Sequence, residues 1–200
     1  MSSKATLACD VDSTVWDTGA RVHEVVLEIT GDTLDPGVVS TWTHILDAYG
    51  EEVTTEIFDR VLGPGRVHER KPYPGSAEFL RYVQGERGIR VHFITRNQDP
   101  EAIRPHLEPW LREHFGPGIG LTVTTADKVC ILRELGAFGL IDDRPEILER
   151  AADEGLWVAA RIQPWNRELI ARRADVHGFS DWRKVPDLLP VLYPDLLPVL

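Results

Sequence analysis

The sequence predicts an α/β fold built on a Rossmann-like parallel sheet, and three observations carry that reading. Short, nearly unbroken apolar runs recur at 5–9, 89–94, 121–123, 138–141 and 156–160; such runs are what strands buried on both faces look like. Segments with helical spacing separate most of them, and alternation of strand and helix means a parallel sheet. The first run stops abruptly at Asp10, so polar chemistry begins where a buried strand ends.

Taken in order, 5–9 is the first strand. The interval before the second strand is long and holds three amphipathic stripes: Val22, Val25, Val26 and Ile29; then Val38, Trp42, Ile45, Leu46 and Tyr49; then Ile57, Phe58, Val61 and Leu62. Residues spaced at three and four share one helix face, so the stripes predict three helices inserted as a cap. Gly31-Asp32, Asp35-Pro36-Gly37 and the breaker-rich return segment 63–75 mark its edges. The insertion is placed at 17–73, leaving a core of 1–16 and 74–185.

Beyond the cap, Ile103, Leu107, Trp110 and Leu111 predict one helix, Ile131, Leu132 and Leu135 a second that ends at Gly136, and Ile147, Leu148, Ala151 and Ala152 a third that ends near Gly155. The segment 186–200 reads as a tail, since Asp-Leu-Leu-Pro-Val-Leu occurs twice there and a proline at every fourth position forbids a continuous helix.

Composition narrows the function. The chain has 200 residues, 42% hydrophobic and 27% charged, enough to bury a core. A net charge of −10 repels polyphosphate backbones, which disfavours nucleic acid and favours a small-molecule substrate. Cys9 and Cys130 form no CxxC pair, which excludes a disulfide framework or a zinc cluster and points to a reducing, cytoplasmic setting. No run of eighteen apolar residues occurs, so no membrane span is expected.

Asp10 and Asp12 leave the strand end at i and i+2, on one side, where two carboxylates can bracket a reacting group. If that group is a phosphate, Asp10 is suited to attack phosphorus while Asp12 carries the proton. Thr95, at the tip of the second strand in Ile94-Thr95-Arg96-Asn97, offers a hydroxyl. Lys128 opens a helix after the third strand. Asp142 and Asp143 follow the fourth in Gly139-Leu140-Ile141-Asp142-Asp143-Arg144-Pro145-Glu146, and adjacent buried acids are costly without a cation.

In that order the four segments resemble the motifs of haloacid-dehalogenase-like hydrolases, with Asp10-Val11-Asp12-Ser13-Thr14-Val15 similar to the opening signature of that superfamily's phosphatases. The resemblance implies a strand order of 3-2-1-4-5 and places both acidic motifs at the point where strand order reverses, the usual ligand crevice of an open parallel sheet. It further implies an Mg2+-dependent phosphatase acting on a small phosphomonoester through an aspartyl-phosphate on Asp10. Mg2+ would take oxygens from Asp10, the Asp12 backbone carbonyl and Asp142, with Asp143 outside that set and orienting Lys128. Thr95, Arg96 and Asn97 would hold the phosphoryl group.

Two branches of the superfamily share further marks. Trp16 with Thr95-Arg96-Asn97 is similar to the magnesium-dependent phosphatases, while Ile141-Asp142-Asp143-Arg144-Pro145 with a helical insertion is similar to deoxyribonucleotidases. The latter makes a nucleotide substrate an expectation, with Trp16 stacking on the base. Arg66, His68, Arg70 and Lys71 on the return segment are candidates for a second anionic group. Other readings of the same acids are end-processing of nucleic acid, phosphotransfer, or a scaffold without turnover.

Overall fold

The computed structural model describes residues 5–35 and 42–189. Its centre is a six-stranded sheet of order β3-β2-β1-β4-β5-β6 in which every neighbouring pair is parallel. The strands are β1 (Thr6–Cys9), β2 (Arg90–Arg96), β3 (Gly120–Thr124), β4 (Ala137–Asp142), β5 (Trp157–Arg161) and β6 (Val176–Phe179). The first five stand in the expected order. The sixth extends the sheet beyond it, through a short run, Val176-His177-Gly178-Phe179, whose polar and small residues hide the apolar signal.

All four residues of β1 are buried, because β1 lies between β2 and β4 with helices over both faces. Leu7 and Cys9 join one core with Phe93, Trp110, Trp157 and Trp182, whereas Ala8 faces a second core with Ile94, Leu140, Val158 and Leu148. That split follows the period of two along a strand. Gly139 lets β4 pass β5 closely: a Cβ there would stand 2.9 Å from the Trp157 ring and carbonyl oxygen.

Among the described residues, seven α-helices complete the layers: α1 (Thr18–Thr30), α2 (Trp42–Leu62), α3 (Ser76–Gly85), α4 (Pro100–Phe115), α5 (Lys128–Glu134), α6 (Pro145–Asp153) and α7 (Arg167–Arg172). Further 3₁₀ segments run at Pro64–Glu69, Pro164–Asn166 and, after β6, Trp182–Leu188. Asp17 caps α1 by accepting from the Ala20 amide at 2.9 Å, and Gly31 ends it in the left-handed conformation with φ of 79°.

The insertion differs in detail from the three expected helices. Two of the predicted stripes fall on α2, whose arms meet at Gly50, with φ of 77° and ψ of 173° outside helical space. Val22, Val25, Val26, Ile45, Ile57 and Val61 bury into the same core as Leu7 and Phe93. The predicted Val38 and the side chain of Trp42 lie outside the described residues. The last 3₁₀ segment runs through the expected boundary at 185 and docks Leu188 and Leu189 on the core; the rest of the repeat-bearing tail, from 190, lies outside the described residues.

Where the chain leaves and re-enters the core, its two connections lie side by side. Trp16 forms isolated bridges with Asp12 and with Pro72, and the Tyr73 amide donates to the Val15 carbonyl at 2.7 Å.

Candidate active site

The carboxyl ends of β1 and β4 deliver the acids. The Asp10 amide donates to the Ile141 carbonyl at 2.8 Å, so β1 and β4 are still paired where Asp10 and Asp142 emerge. Asp10, Asp142 and Asp143 are buried, and each offers a carboxylate oxygen within 4.8 Å of those of the others. Such a trio of hard oxygen donors is suited to a divalent cation.

Lys128, the first residue of α5 and 2% exposed, is the counter-charge. Its Nζ donates to Asp10 Oδ1 and, at 3.0 Å, to Asp142 Oδ2. Asp127 sets this up, since its side chain caps α5 by accepting from the Val129 amide at 3.0 Å. Burial works against the lysine charge, but Asp10 and Asp142 beside it raise its pKa above the ordinary range. Burial pushes the Asp10 carboxyl up to about 7, against the pull of Lys128. The same cause, burial, holds Asp143 well above the usual carboxylate range, with Asp10 and Asp142 adding to it. One ammonium leaves three clustered carboxylates under-neutralised, and a cation fits that deficit.

One expectation for this cluster is corrected. Lys128 is oriented by Asp10 and Asp142, while the Asp143 carboxylate instead accepts from Trp165 Nε1 at 3.0 Å and Thr14 Oγ1 at 3.4 Å. Asp143 nonetheless contributes the third carboxylate of the cluster, beside Asp10 and Asp142. The chain turns away after Asp10 through Ser13, whose φ of 58° is left-handed and uncommon for a residue with a Cβ. That turn is secured by the Ser13 amide donating to Thr18 Oγ1 and by Gln163 Nε2 donating to the Ser13 carbonyl, both at 2.8 Å.

Asp12 occupies a different setting. Its Oδ1 accepts from Trp16 Nε1 at 2.9 Å and its Oδ2 from Thr95 Oγ1 at 3.2 Å, with Arg70 Nη1 at 3.6 Å from Oδ1. Trp16 is 3% exposed and does not line the cavity that the acids open into, so its ring is not available to stack on a base. The return-segment cations also divide: Arg66 is an exposed partner of Glu69, whereas Arg70 is buried beneath the Asp12 loop.

Asp10, Asp12, Thr95, Arg96, Lys128, Asp143, Arg144 and Trp165 line one cavity of about 490 Å³, with Leu62 and Thr43 from the insertion on its far side. Asn97 does not reach it. Its amide donates to the Thr124 carbonyl at 3.1 Å, its Oδ1 accepts from the Asp99 amide at 2.9 Å, and it lines an adjoining cavity of about 750 Å³. Arg96, Arg144 and Leu62 border both spaces.

Sequence reasoning missed Thr14 as a bridge between acids, Trp165, Asn166 and the Asp12 role of Arg70. Thr14 Oγ1 lies 3.1 Å from Asp10 Oδ2 as well as near Asp143, and Asn166 Nδ2 donates to the Asp143 carbonyl at 2.7 Å. The signal for Trp165 and Asn166 was their place just past β5, at the same sheet edge as the other motifs.

No family model matches the sequence and no curated protein matches it. Solved structures do match in fold. A haloacid dehalogenase-like family hydrolase from Xanthomonas campestris superimposes with a TM-score of 0.57 at 13% identity, over 96% of this chain and 97% of that one. The fold is that of the haloacid dehalogenase-like hydrolases. A protein provisionally assigned as a β-phosphoglucomutase from Thermotoga maritima gives 0.59 at 16% identity, over 94% and 99%. One provisionally assigned as a phosphatase from Clostridium difficile gives 0.65 at 13% identity, over 94% and 100%. The haloacid dehalogenase-like architecture thus spans the insertion as well as the sheet. Among the described residues, no helix is long and apolar enough to cross a membrane.

Proposed function

We propose that the protein is an Mg2+-dependent phosphatase of haloacid dehalogenase type that hydrolyses a small phosphomonoester through an aspartyl-phosphate on Asp10, in the cytoplasm. One observation carries the reading: two carboxylates two residues apart at the end of β1, Asp10 against Lys128 and Asp12 against Thr95, face a single cavity sized for a small ligand.

Asp10, Asp142 and Asp143 would hold the cation, which when bound supplies the positive charge that keeps Asp10 ionised and neutralises the phosphoryl oxygens. The chain does the rest. An Asp10 carboxylate oxygen attacks phosphorus, the bond to the leaving oxygen breaks, and the Asp12 carboxyl gives that oxygen its proton. Water then attacks the phosphorylated Asp10, Asp12 takes the water's proton, and inorganic phosphate departs with both acids restored. Lys128 and the Thr95 hydroxyl stabilise charge on the transferring group. The insertion, 17–73, serves as the cap that closes Leu62 and Thr43 over the crevice and excludes water.

The test is phosphate release by wild type and Asp10→Asn, with Mg2+ or with EDTA, over nucleoside monophosphates, sugar phosphates, phosphoserine, glycerol phosphate and a 3′-phosphorylated oligonucleotide. Metal-dependent release lost in the variant is the expected result. Release that persists in Asp10→Asn would break the covalent mechanism.

A further inference from the structure

Arg70 is charged, 4% exposed and sits on the return segment from the insertion, a poor place for a cation without a task. Its guanidinium lies over the Trp16 ring at 4.7 Å, its Nη2 donates to the Leu62 carbonyl at 3.2 Å, and its Nε finds no hydrogen-bond partner among the described residues. Asp12 Oδ1 lies 3.6 Å from Nη1, an ion pair. That same oxygen accepts from Trp16 Nε1 at 2.9 Å. A side chain selected for packing alone would fill this space without burying a charge.

We propose that Arg70 and Trp16 are positioning residues that anchor Oδ1 of Asp12, leaving Oδ2 as the oxygen that exchanges the proton with the leaving group and then with water. Oδ2 is the oxygen beside Thr95, which lines the cavity. With one oxygen tied by an indole N–H and a guanidinium, the carboxylate is fixed about its terminal torsion. Orientation of this kind is what makes proton transfer efficient. The planar Arg70 fork is itself held by stacking and by the Leu62 carbonyl, a geometry an ammonium would not reproduce. The Trp110 Nε1 donation to the Arg70 carbonyl at 3.1 Å ties its backbone to α4 of the core.

This rests on the phosphatase reading, and leaving groups separate the two. A para-nitrophenolate departs without a proton, whereas an alkoxide needs one. We would compare Arg70→Met, which keeps the stem, and Trp16→Phe, which keeps the ring, with wild type on para-nitrophenyl phosphate and on the alkyl ester turned over fastest in the panel above. The expected loss in kcat/KM on the alkyl ester is about 100-fold for Arg70→Met and about 10-fold for Trp16→Phe, against less than about 3-fold on the aryl ester. On the aryl ester kcat should still fall, with a stoichiometric burst of nitrophenolate, because the water step also needs Asp12 and phosphorylated Asp10 accumulates. Equal losses on both esters, or none, would overturn the positioning role. If Arg70→Met does not fold, judged by its melting curve, Trp16→Phe decides by the same criteria. A wild type silent on every ester overturns the phosphatase reading instead.

Discussion

Asp10 and Asp12 are two residues apart, yet the fold gives them opposite environments. The Asp10 side chain is 6% exposed, with a lysine and a second acid against it, while that of Asp12 is 30% exposed and held by an indole, a hydroxyl and a guanidinium. The left-handed Ser13 turn that begins beyond them sends the chain from the sheet edge toward the insertion. Identical side chains therefore acquire different surroundings: one sits in a buried cluster of acids around a single lysine, the other on a hydrogen-bonded mount.

The contrast is open to attack, beginning with the largest effect. Asp10→Asn should abolish steady-state phosphate release while leaving the melting temperature close to that of wild type, since the amide is nearly isosteric but a poor nucleophile; colorimetric phosphate assays with a melt of the same sample check both. Asp12→Asn should lower turnover of alkyl esters by about 10²–10⁴-fold yet leave cation affinity intact. A comparable loss of cation binding by calorimetry would show that the two environments are not separate. Asp142→Asn should do the reverse, raising the Mg2+ needed for half-maximal activity by about 100-fold, and should remove the thermal stabilisation that a saturating ligand confers, about 2.7 kcal/mol at a hundred times its dissociation constant. The smallest change is expected for Trp165→Phe, which deletes the donor to Asp143 Oδ2 and should raise the Mg2+ requirement by about 10-fold.

Much of the fold is legible in the sequence. The strands β1 to β5 were visible through their short apolar runs, most fully buried in β1, β4 and β5, and Asp10, Thr95, Lys128 and Asp142 were visible because each stands at a strand or helix end. The insertion showed itself in three stripes, although one break, at Gly50, is a bend inside α2 rather than a loop. α7 and β6 escaped notice, being short, and α3 did so because it starts directly after the breakers Pro74 and Gly75 of the return segment. Trp16 was assigned to substrate because it adjoins a motif, whereas its ring packs against Arg70 and its N–H serves Asp12. Arg70 and Trp165 reach their carboxylates across 58 and 22 residues of chain, and no local pattern encodes a pairing that only tertiary folding makes.

The central position of β1 bears on how the protein is made. Thr6 pairs with Arg90 on one side and Ala137 on the other, so during synthesis at about 5–20 residues per second the strand waits roughly 4–17 s for its first neighbour and roughly 7–26 s for its second. The helices α1 and α2, whose contacts are local, emerge within that interval and are free to form first. A short, largely apolar strand with both edges unpaired is a template for wrong partners during those seconds. The nascent chain thus has its greatest need of a chaperone, or of an early collapse of α1 and α2 onto Leu7 and Cys9, at the strand that later presents Asp10.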